Sequence, residues 1–199
     1  MEKTTYVGSQ TDFEIMTAAL YGETKETSYT LEEMQAIGDV IMNRADIMKT
    51  SASDEIKAPG QVNGYYNNDS QGVTSRGRTS NENERLNTAR NATITTMLGT
   101  SRGMSNGAYY WDGADIVYNW NTHNTEGIHY TNSSHDIYKT GDTTGGPYIN
   151  YWIYTDGRDP VLRGTCNQKY DSTTTYGGTI FWKKSDEYIR IMQEKEFTR

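Results

Sequence analysis

Apolar residues recur at three- and four-residue spacing in three segments of the chain, which predicts three helices. The first covers residues 12–21, with Asp12 as a candidate N-cap. The third covers about 83–98 and would end at Gly99. The second starts at the capping-box pattern Thr30-Leu31-Glu32-Glu33 and has the longest apolar face, which consists of Leu31, Met34, Ile37, Ile41, Ala45 and Met48.

The second half of the chain has a different pattern. Residues from about 113 to 176 are rich in Thr, Asn, Gly and Tyr, which predicts a largely irregular insertion with short strands. Alternation predicts one strand at 148–154, and a further strand at 179–182 precedes a helix from about Ser185. The sequence therefore predicts an α+β, mainly helical fold, in which a single domain (1–199) carries an insertion at about 113–176.

Composition narrows the classes of partner. The chain has 199 residues, of which 34% are hydrophobic and 12% aromatic, so tyrosine-rich packing can supply a core. No run approaches the ~20 apolar residues of a membrane-spanning helix, so no such helix is expected. A net charge of -7 and a pI of about 5.0 argue against nucleic acid, because phosphates need a basic face. A neutral polymer such as a glycan stays compatible with this charge.

Metal and thiol chemistry receive little support from the sequence. His123, His129 and His135 are spaced by six residues, which matches neither one helix face nor a zinc motif, so surface histidines are expected. We expect no metal and no cofactor. Cys166 is the single cysteine and excludes an intramolecular disulfide. Paired with a histidine, it would make the protein a cysteine-dependent cell-wall amidase, but no flanking signature supports that alternative.

A carboxyl group follows the first helix directly. Gly22 would end this helix, and Glu23 comes next, which places an acid at the edge of an apolar core. Desolvation there would raise the pKa of Glu23, as a general acid requires. On these residues alone, a C-cap glycine followed by a solvated loop acid is the simpler interpretation.

Further motifs, taken in order, favour a catalytic role for Glu23 over a solvated loop acid. After Tyr21-Gly22-Glu23 come a helix that ends in Asn43-Arg44, then Gln61-Val62-Asn63-Gly64-Tyr65, Ser105-Asn106-Gly107-Ala108-Tyr109-Tyr110 and Gly178-Thr179-Ile180-Phe181-Trp182. Together they resemble the bacterial cell-wall hydrolase family that includes the spore-cortex lytic enzymes. The resemblance covers roughly residues 12–112 and 177–197. It departs from the family at Thr27, where a second Glu is frequent; Glu26 lies nearby but out of register.

The resemblance implies a lysozyme-like fold with a small β region and cleavage of the β-1,4 bond between MurNAc and GlcNAc in peptidoglycan. Its catalytic glutamate corresponds to Glu23. The residues that would bind the glycan are Gln61, Tyr65, Asn106, Tyr109, Tyr110 and Asp112. At least one of the adjacent tyrosines is expected to be structural, because alternate strand residues face inward.

The chemistry leaves two outcomes open. A carboxylic acid must protonate the leaving oxygen, and hydrolysis needs a second carboxylate for the water or the nucleophile. A lytic transglycosylase uses the sugar's own 6-hydroxyl instead, so one strong acid with no clear partner favours transglycosylation modestly. Asp112 and Asp115 are candidates for the second carboxylate. A non-catalytic glycan-binding module on the same fold is the main alternative from another class.

The expected place of action is the bacterial cell wall or periplasm. The first eight residues have neither a basic n-region nor an apolar h-region, so no secretory signal is expected. Export by phage lysis, by spore or virion packaging, or by injection as an antibacterial effector would fit. An effector would have a dedicated inhibitor protein, and the insertion would be a candidate for its contact.

Overall fold

The computed structural model describes residues 10–25, 27–66, 80–118, 126–144, 150–153 and 161–198. Helices and a small sheet are both present, so the predicted α+β class is confirmed. The chain divides into two compact units. The first comprises residues 1–108 and 175–179, and the second 109–174 and 180–199. The single domain with an insertion at about 113–176 stays a prediction.

The first unit contains the predicted helices and two further elements. In chain order they are α1 (Gln10–Glu23), α2 (Leu31–Met48), α3 (Ala52–Lys57), the 3₁₀ turn Asn63–Tyr66 and α4 (Ser80–Met97). Their fully buried side chains include Met16, Leu20, Met34, Ile37, Ile41 and Ile56. Except for Ile56, on α3, these residues lie at the apolar positions that predicted the helices, so burial of that face explains why α1 and α2 are helical.

Helix α1 is longer than predicted at both ends. Asp12 lies in its first turn, so it is not the N-cap, and its carboxylate accepts a hydrogen bond from Ser53 Oγ at 2.6 Å. Gly22 is helical and does not end α1, and Glu23 is the last helical residue. The prediction that Glu23 is a loop residue after a C-cap is therefore wrong. The backbone of Glu23 belongs to the last turn of α1.

The capping prediction for α2 is confirmed. Thr30 is the N-cap, and its hydroxyl accepts the N–H of Glu33 at 3.0 Å. Glu33 accepts the backbone N–H of Thr30 in return, which completes the reciprocal pair of a capping box. Ser51 caps α3 in the same way through Asp54, in a polar segment where the sequence predicted no helix.

Helix α4 ends as its glycine predicts. Gly99 has φ +72°, its N–H bonds to the carbonyl of Thr96, and the N–H of Thr100 bonds to that of Thr95. These two hydrogen bonds form a Schellman motif, which satisfies carbonyl groups of the last helical turn. Where α4 packs on α2, a Cβ at Gly38 would lie 2.4 Å from Thr96 Oγ1, so this contact requires a glycine.

The second unit is built around a four-stranded sheet in the order β1-β6-β5-β2. Strand β1 (Tyr110–Asp112) is antiparallel to β6 (Thr179–Lys184), and β2 (Ile128–His129) is parallel to β5 (Tyr170–Tyr176). A separate antiparallel pair joins β3 (Asn150–Ile153) and β4 (Val161–Thr165). The described residues of this unit also form α5 (Asp115–Tyr118), a 3₁₀ turn at Ser133–His135 and α6 (Asp186–Met192).

Aromatic side chains supply much of the core in this unit. The buried cluster consists of Ile116, Ile128, Tyr130, Ile180 and Trp182, and Tyr110, Tyr138 and Tyr170 pack against it. The predicted strand at 179–182 is confirmed and extends to Lys184, and Ser185 caps the C-terminal helix. Strand β3 confirms the middle of the strand predicted at 148–154, whose ends lie outside the described residues. Within the described part of the chain, no helix is long and apolar enough to cross a membrane.

The contact between α2 and α4 makes a prediction about stability. Gly38→Ala would place a methyl group against Thr96, so we expect a loss of about 1–3 kcal/mol in the free energy of unfolding. Adding Thr96→Ala removes Oγ1 and the methyl group and should recover part of this loss. Urea unfolding of the wild type, both single variants and the double variant measures the coupling. Additive losses would show that the two positions do not share this contact.

Candidate functional site

The carboxylate of Glu23 is held by a backbone N–H. Glu23 is half-buried at the end of α1, directly after the buried residues Leu20 and Tyr21. Its Oε1 accepts the N–H of Gly64, with an N···O distance of 2.5 Å. A carboxylate bonded to a backbone donor has a fixed position, because the donor cannot change rotamer. The apolar helix and the 3₁₀ turn at 63–66 therefore meet at the predicted catalytic acid.

This meeting depends on a glycine. A Cβ on Gly64 would lie 2.4 Å from the carbonyl carbon of Gly22 and 2.5 Å from the nitrogen of Glu23. Real Cβ atoms do not approach backbone so closely, so the 3₁₀ turn packs directly on the Gly22–Glu23 peptide. The Gly22-Glu23 pair and the Gln61–Tyr65 segment, 40 residues apart in the chain, form a single contact.

A buried arginine closes the end of α1. The Nη2 atom of Arg85, on α4, donates to the carbonyl oxygens of Tyr21 and Thr24, on either side of Glu23. Its guanidinium also lies over the ring of Tyr21, 4.0 Å from the ring centroid. Only 9% of Arg85 is exposed. Sequence analysis did not identify Arg85, because a charged residue in a polar helix gives no signal of burial.

The Asn43-Arg44 pair at the end of α2 holds two loops. Arg44 Nη1 donates to the carbonyl of Gln61 at 3.2 Å, which fixes the segment that leads into the 3₁₀ turn. Asn43 Nδ2 donates to Ser105 Oγ at 3.3 Å and to the carbonyl of Ala108 at 3.1 Å. The structure thus gives these two residues loop-fixing roles. They neither end nor cap α2, which continues to Met48 and has Lys49 as its C-cap.

Asp39, one turn earlier on α2, holds the same 105–108 loop. Its Oδ2 accepts the N–H of Gly103 at 3.1 Å and both the N–H and the hydroxyl of Ser105, at 3.0 and 2.7 Å. The loop ends in a turn in which Asn106 and Gly107 have φ +51° and +78°. Positive φ at both central residues is typical of a type I′ turn. Asn106 is exposed at its tip, where a ligand could reach it.

Two of the predicted glycan-binding residues belong to the segment that contacts Glu23 through Gly64. Gln61 and Tyr65 are half-buried and flank Gly64. Tyr65 packs edge-to-face on Tyr66, with ring centroids 5.2 Å apart, and Tyr66 donates its hydroxyl to the carbonyl of Lys57 at 2.6 Å. The ring of Tyr66 is 48% exposed although both of its ends are fixed. Sequence analysis named Tyr65 but not Tyr66.

Tyr109, Tyr110 and Asp112 belong to the second unit. Tyr109 stacks on Phe197 with centroids 6.3 Å apart, and its N–H bonds to the carbonyl of Trp182. Tyr110 packs edge-to-face on Tyr170 and belongs to the shell of the aromatic core. At least one of the two tyrosines is thus structural, as expected, and the glycan-binding role of these residues stays a prediction.

Another buried carboxylate lies at the start of α2. Glu33 is 3% exposed, and its Oε1 accepts the hydroxyl of Thr179 at 2.6 Å and the N–H of Gly178 at 3.1 Å. Burial raises the pKa of Glu33 above its ordinary value, although these bonds and the charge of Arg85 act in the opposite direction. Glu33 thereby fastens residues 177–179, the start of the final motif, onto α2.

Thr27 stands where the resemblance led us to expect a second Glu. Thr27 is an exposed turn residue, and Glu26 lies outside the described residues. Asp115 accepts the N–H of Gly113 at 2.9 Å, which is a local loop contact in the second unit.

The histidines and the cysteine have structural contacts. Nδ1 of His129 lies 2.9 Å from Asp171, and Nδ1 of His135 lies 2.8 Å from Ser172 Oγ, whereas His123 falls outside the described residues. Burial lowers the pKa of His135. Cys166 is 3% exposed. Within the described ranges, no group of three or more His, Cys, Asp or Glu is placed to hold a metal ion.

The close approach at Gly64 predicts a large effect of a single methyl group. Gly64→Ala should cost about 3 kcal/mol of unfolding free energy and break the bond to Glu23, because backbone on the opposing side cannot move aside as a side chain can. Gly60→Ala is the matched control: its Cβ would meet nothing within 4 Å, so only its φ of +75° opposes the change, at about 1 kcal/mol. Equal losses in urea unfolding would contradict the packing argument.

The raised pKa of Glu33 predicts a pH dependence of stability. The native state binds this proton more tightly than the unfolded state, so the contribution of Glu33 is full below about pH 4.5 and is lost as the pH rises through its native pKa. The unfolding free energy of the wild type relative to Glu33→Gln should therefore fall from pH 4 to pH 8. Denaturant titrations at several pH values measure it, with the exposed Glu32→Gln as control. A difference that rises with pH would show that Glu33 is stabilised as the anion.

No family model, no curated protein and no solved structure matches the chain. The functional assignment therefore depends on the contacts around Glu23 and on the Gln61–Tyr65 motif, which meets Glu23 at Gly64.

Proposed function

We propose that the protein is a glycosidase that cleaves the β-1,4 bond between MurNAc and GlcNAc in peptidoglycan, with Glu23 as general acid and base. The observation that carries this proposal is the bond from Gly64 N–H to Glu23 Oε1. It joins two of the motifs through which the sequence resembles the spore-cortex lytic enzymes, and it does so at the one residue that the resemblance makes catalytic. A lysozyme-like fold is part of the same proposal.

The geometry suits a proton donor. Because Gly64 N–H is bonded to Oε1, the proton that Glu23 transfers is carried by Oε2. The carboxyl group cannot swing freely, since its backbone belongs to a helical turn and one oxygen is fixed by a second element. General acids of this kind contribute about 10²–10⁴-fold to a rate.

The reaction then proceeds in two stages. Glu23 transfers its proton to the glycosidic oxygen, the bond from that oxygen to the anomeric carbon breaks, and positive charge develops on the sugar ring. The Glu23 carboxylate next removes a proton from the attacking hydroxyl group, which restores the acid. The Gly64 N–H stabilises the carboxylate form that exists between these stages.

Which group attacks the anomeric carbon depends on whether a second carboxylate is present. Thr27 stands where the family frequently has a second Glu, and a hydroxyl group cannot act as a general base for water. This substitution favours attack by the 6-hydroxyl of the sugar itself, which is the reaction of a lytic transglycosylase. Asp112 and Asp115 remain the candidates if water attacks.

Binding and location complete the proposal. Gln61, Tyr65 and Asn106 would bind the glycan in the first unit. Tyr109, Tyr110 and Asp112, which belong to the second unit, stay predicted glycan-binding residues. Tyr66 joins this set, because an exposed ring with a fixed orientation can stack on a sugar at little entropic cost. The enzyme would act at the cell wall or periplasm. If it is an antibacterial effector, a dedicated inhibitor protein would accompany it.

Glu23→Gln tests the proposal directly. Glutamine keeps an acceptor oxygen for Gly64 N–H but carries no transferable proton, so we expect a folded protein whose rate of sacculus lysis falls about 10²–10⁴-fold. The measurement is turbidity loss of purified peptidoglycan, followed by mass spectrometry of the products. Ends with a 1,6-anhydro bond indicate transglycosylation, and reducing ends indicate hydrolysis.

Glu32→Gln is the matched control, because it makes the same chemical change at an exposed position of α2. It should lyse sacculi at the wild-type rate. Full activity of Glu23→Gln would contradict the role of Glu23. Absence of lysis in all three proteins, with sacculus binding retained, would indicate the glycan-binding module instead.

A further inference from the structure

Arg85 bonds to the α1 backbone both before and after Glu23 in the sequence. Its Nη2 atom donates to the carbonyl of Tyr21, two residues before Glu23, and to that of Thr24, the residue after it. Its guanidinium plane also covers the Tyr21 ring. The backbone on both sides of Glu23 is thus tied to one rigid group, which comes from a helix about 60 residues away in the sequence.

We propose that Arg85 is a positioning residue that fixes the Glu23 carboxylate against Gly64. The catalytic consequence of this inference depends on the proposed function, whereas the positioning itself does not. Arg85 acts through the α1 backbone, by its bonds to the carbonyl groups of Tyr21 and Thr24. It defines where the last turn of α1 stops, and so where the Glu23 side chain begins.

The other helix ends show that such a device is not needed for capping alone. Helices α2 and α6 are closed locally by Lys49 and Gln193, whose φ values of +56° and +54° turn the chain back. A local cap of this kind leaves no charge buried. Burying a guanidinium is unfavourable by several kcal/mol unless its hydrogen bonds compensate for the lost hydration. In this chain a guanidinium is buried at the helix end that carries Glu23.

The shape of the arginine side chain matters as well as its charge. A guanidinium is planar, so it can lie flat on the Tyr21 ring while one edge faces both carbonyl groups. Lysine could supply the charge and a donor, but it cannot supply the plane. Displacements of about 1 Å at a catalytic group can cost 10²-fold in rate, so loss of this plane should be detectable.

The experiment compares three variants of the full chain. Arg85→Met removes the donors while keeping an apolar stem, and Arg85→Lys keeps the charge. Thr93→Val is the matched control: it breaks a buried bond of 3.0 Å between α4 and Thr17 of α1, so it weakens the same helix contact away from Glu23. Arg85→Lys also serves as the second variant if Arg85→Met does not fold.

The first measurement is hydrogen exchange of two amides by NMR. The Gly64 amide reports the Glu23 bond, and the Gly103 amide, bonded to Asp39 at 3.1 Å, is the internal reference. In Arg85→Met we expect exchange at Gly64 to rise at least 10-fold relative to Gly103, with a smaller rise in Arg85→Lys and none in Thr93→Val. An unchanged ratio in both Arg85 variants would overturn the positioning role.

The second measurement separates kcat from KM on soluble glycan fragments. We expect kcat to fall at least 10-fold in Arg85→Met at nearly constant KM, and to recover in part in Arg85→Lys. A wild-type kcat in Arg85→Met, when Glu23→Gln is inactive, would overturn the inference and leave the proposed function intact. If Glu23→Gln is fully active, the proposed function fails, and the exchange ratio still decides the positioning role.

Discussion

The approach of two backbones at Gly64 is the constraint on which the candidate site depends. A 3₁₀ turn lies so close to the Gly22–Glu23 peptide that no side chain fits between them. Contact at this distance fixes the turn in two ways, through packing and through the bond to Glu23 Oε1. This contact also explains why the Gln61–Tyr65 segment is ordered although it has few apolar residues. Val62 is fully buried beside the contact, while Asn63 faces solvent.

Helix α2 organises the loops around this contact. Asp39, near its middle, and Asn43 and Arg44, nearer its end, each bond to backbone of a segment distant in sequence. The same helix begins at Glu33, which fastens residues 178–179. Buried polar groups are stable only when hydrogen-bonded, so each bond is also a specification of which loop must lie there. The helix thus contributes an apolar face to the core and polar ends to the site.

Much of the first unit could be predicted from the sequence, and the failures have physical causes. The period and capping box of α2 and the Gly99 stop of α4 are local signals, and both elements were predicted. The prediction that α1 ends at Gly22 was wrong because Arg85 donates to carbonyl groups that a glycine cap would otherwise satisfy. Helix α3 and the 63–66 turn were missed since their order comes from tertiary contacts. Arg85 and Asp39 were missed because burial of a charge leaves no trace in periodicity.

The distribution of these charges bears on why the site has one geometry. A chain with 34% hydrophobic residues has limited apolar burial from which to draw stability. It nevertheless buries Glu33, Asp39, Arg44 and Arg85 in one unit, where each charge costs free energy unless its bonds are complete. An apolar core tolerates small shifts between helices, whereas a buried charge does not, because a shift would break bonds that no water can replace. Rigidity around Glu23 therefore comes from polar contacts, and the apolar faces of α1, α2 and α4 provide the surroundings in which those contacts are strong.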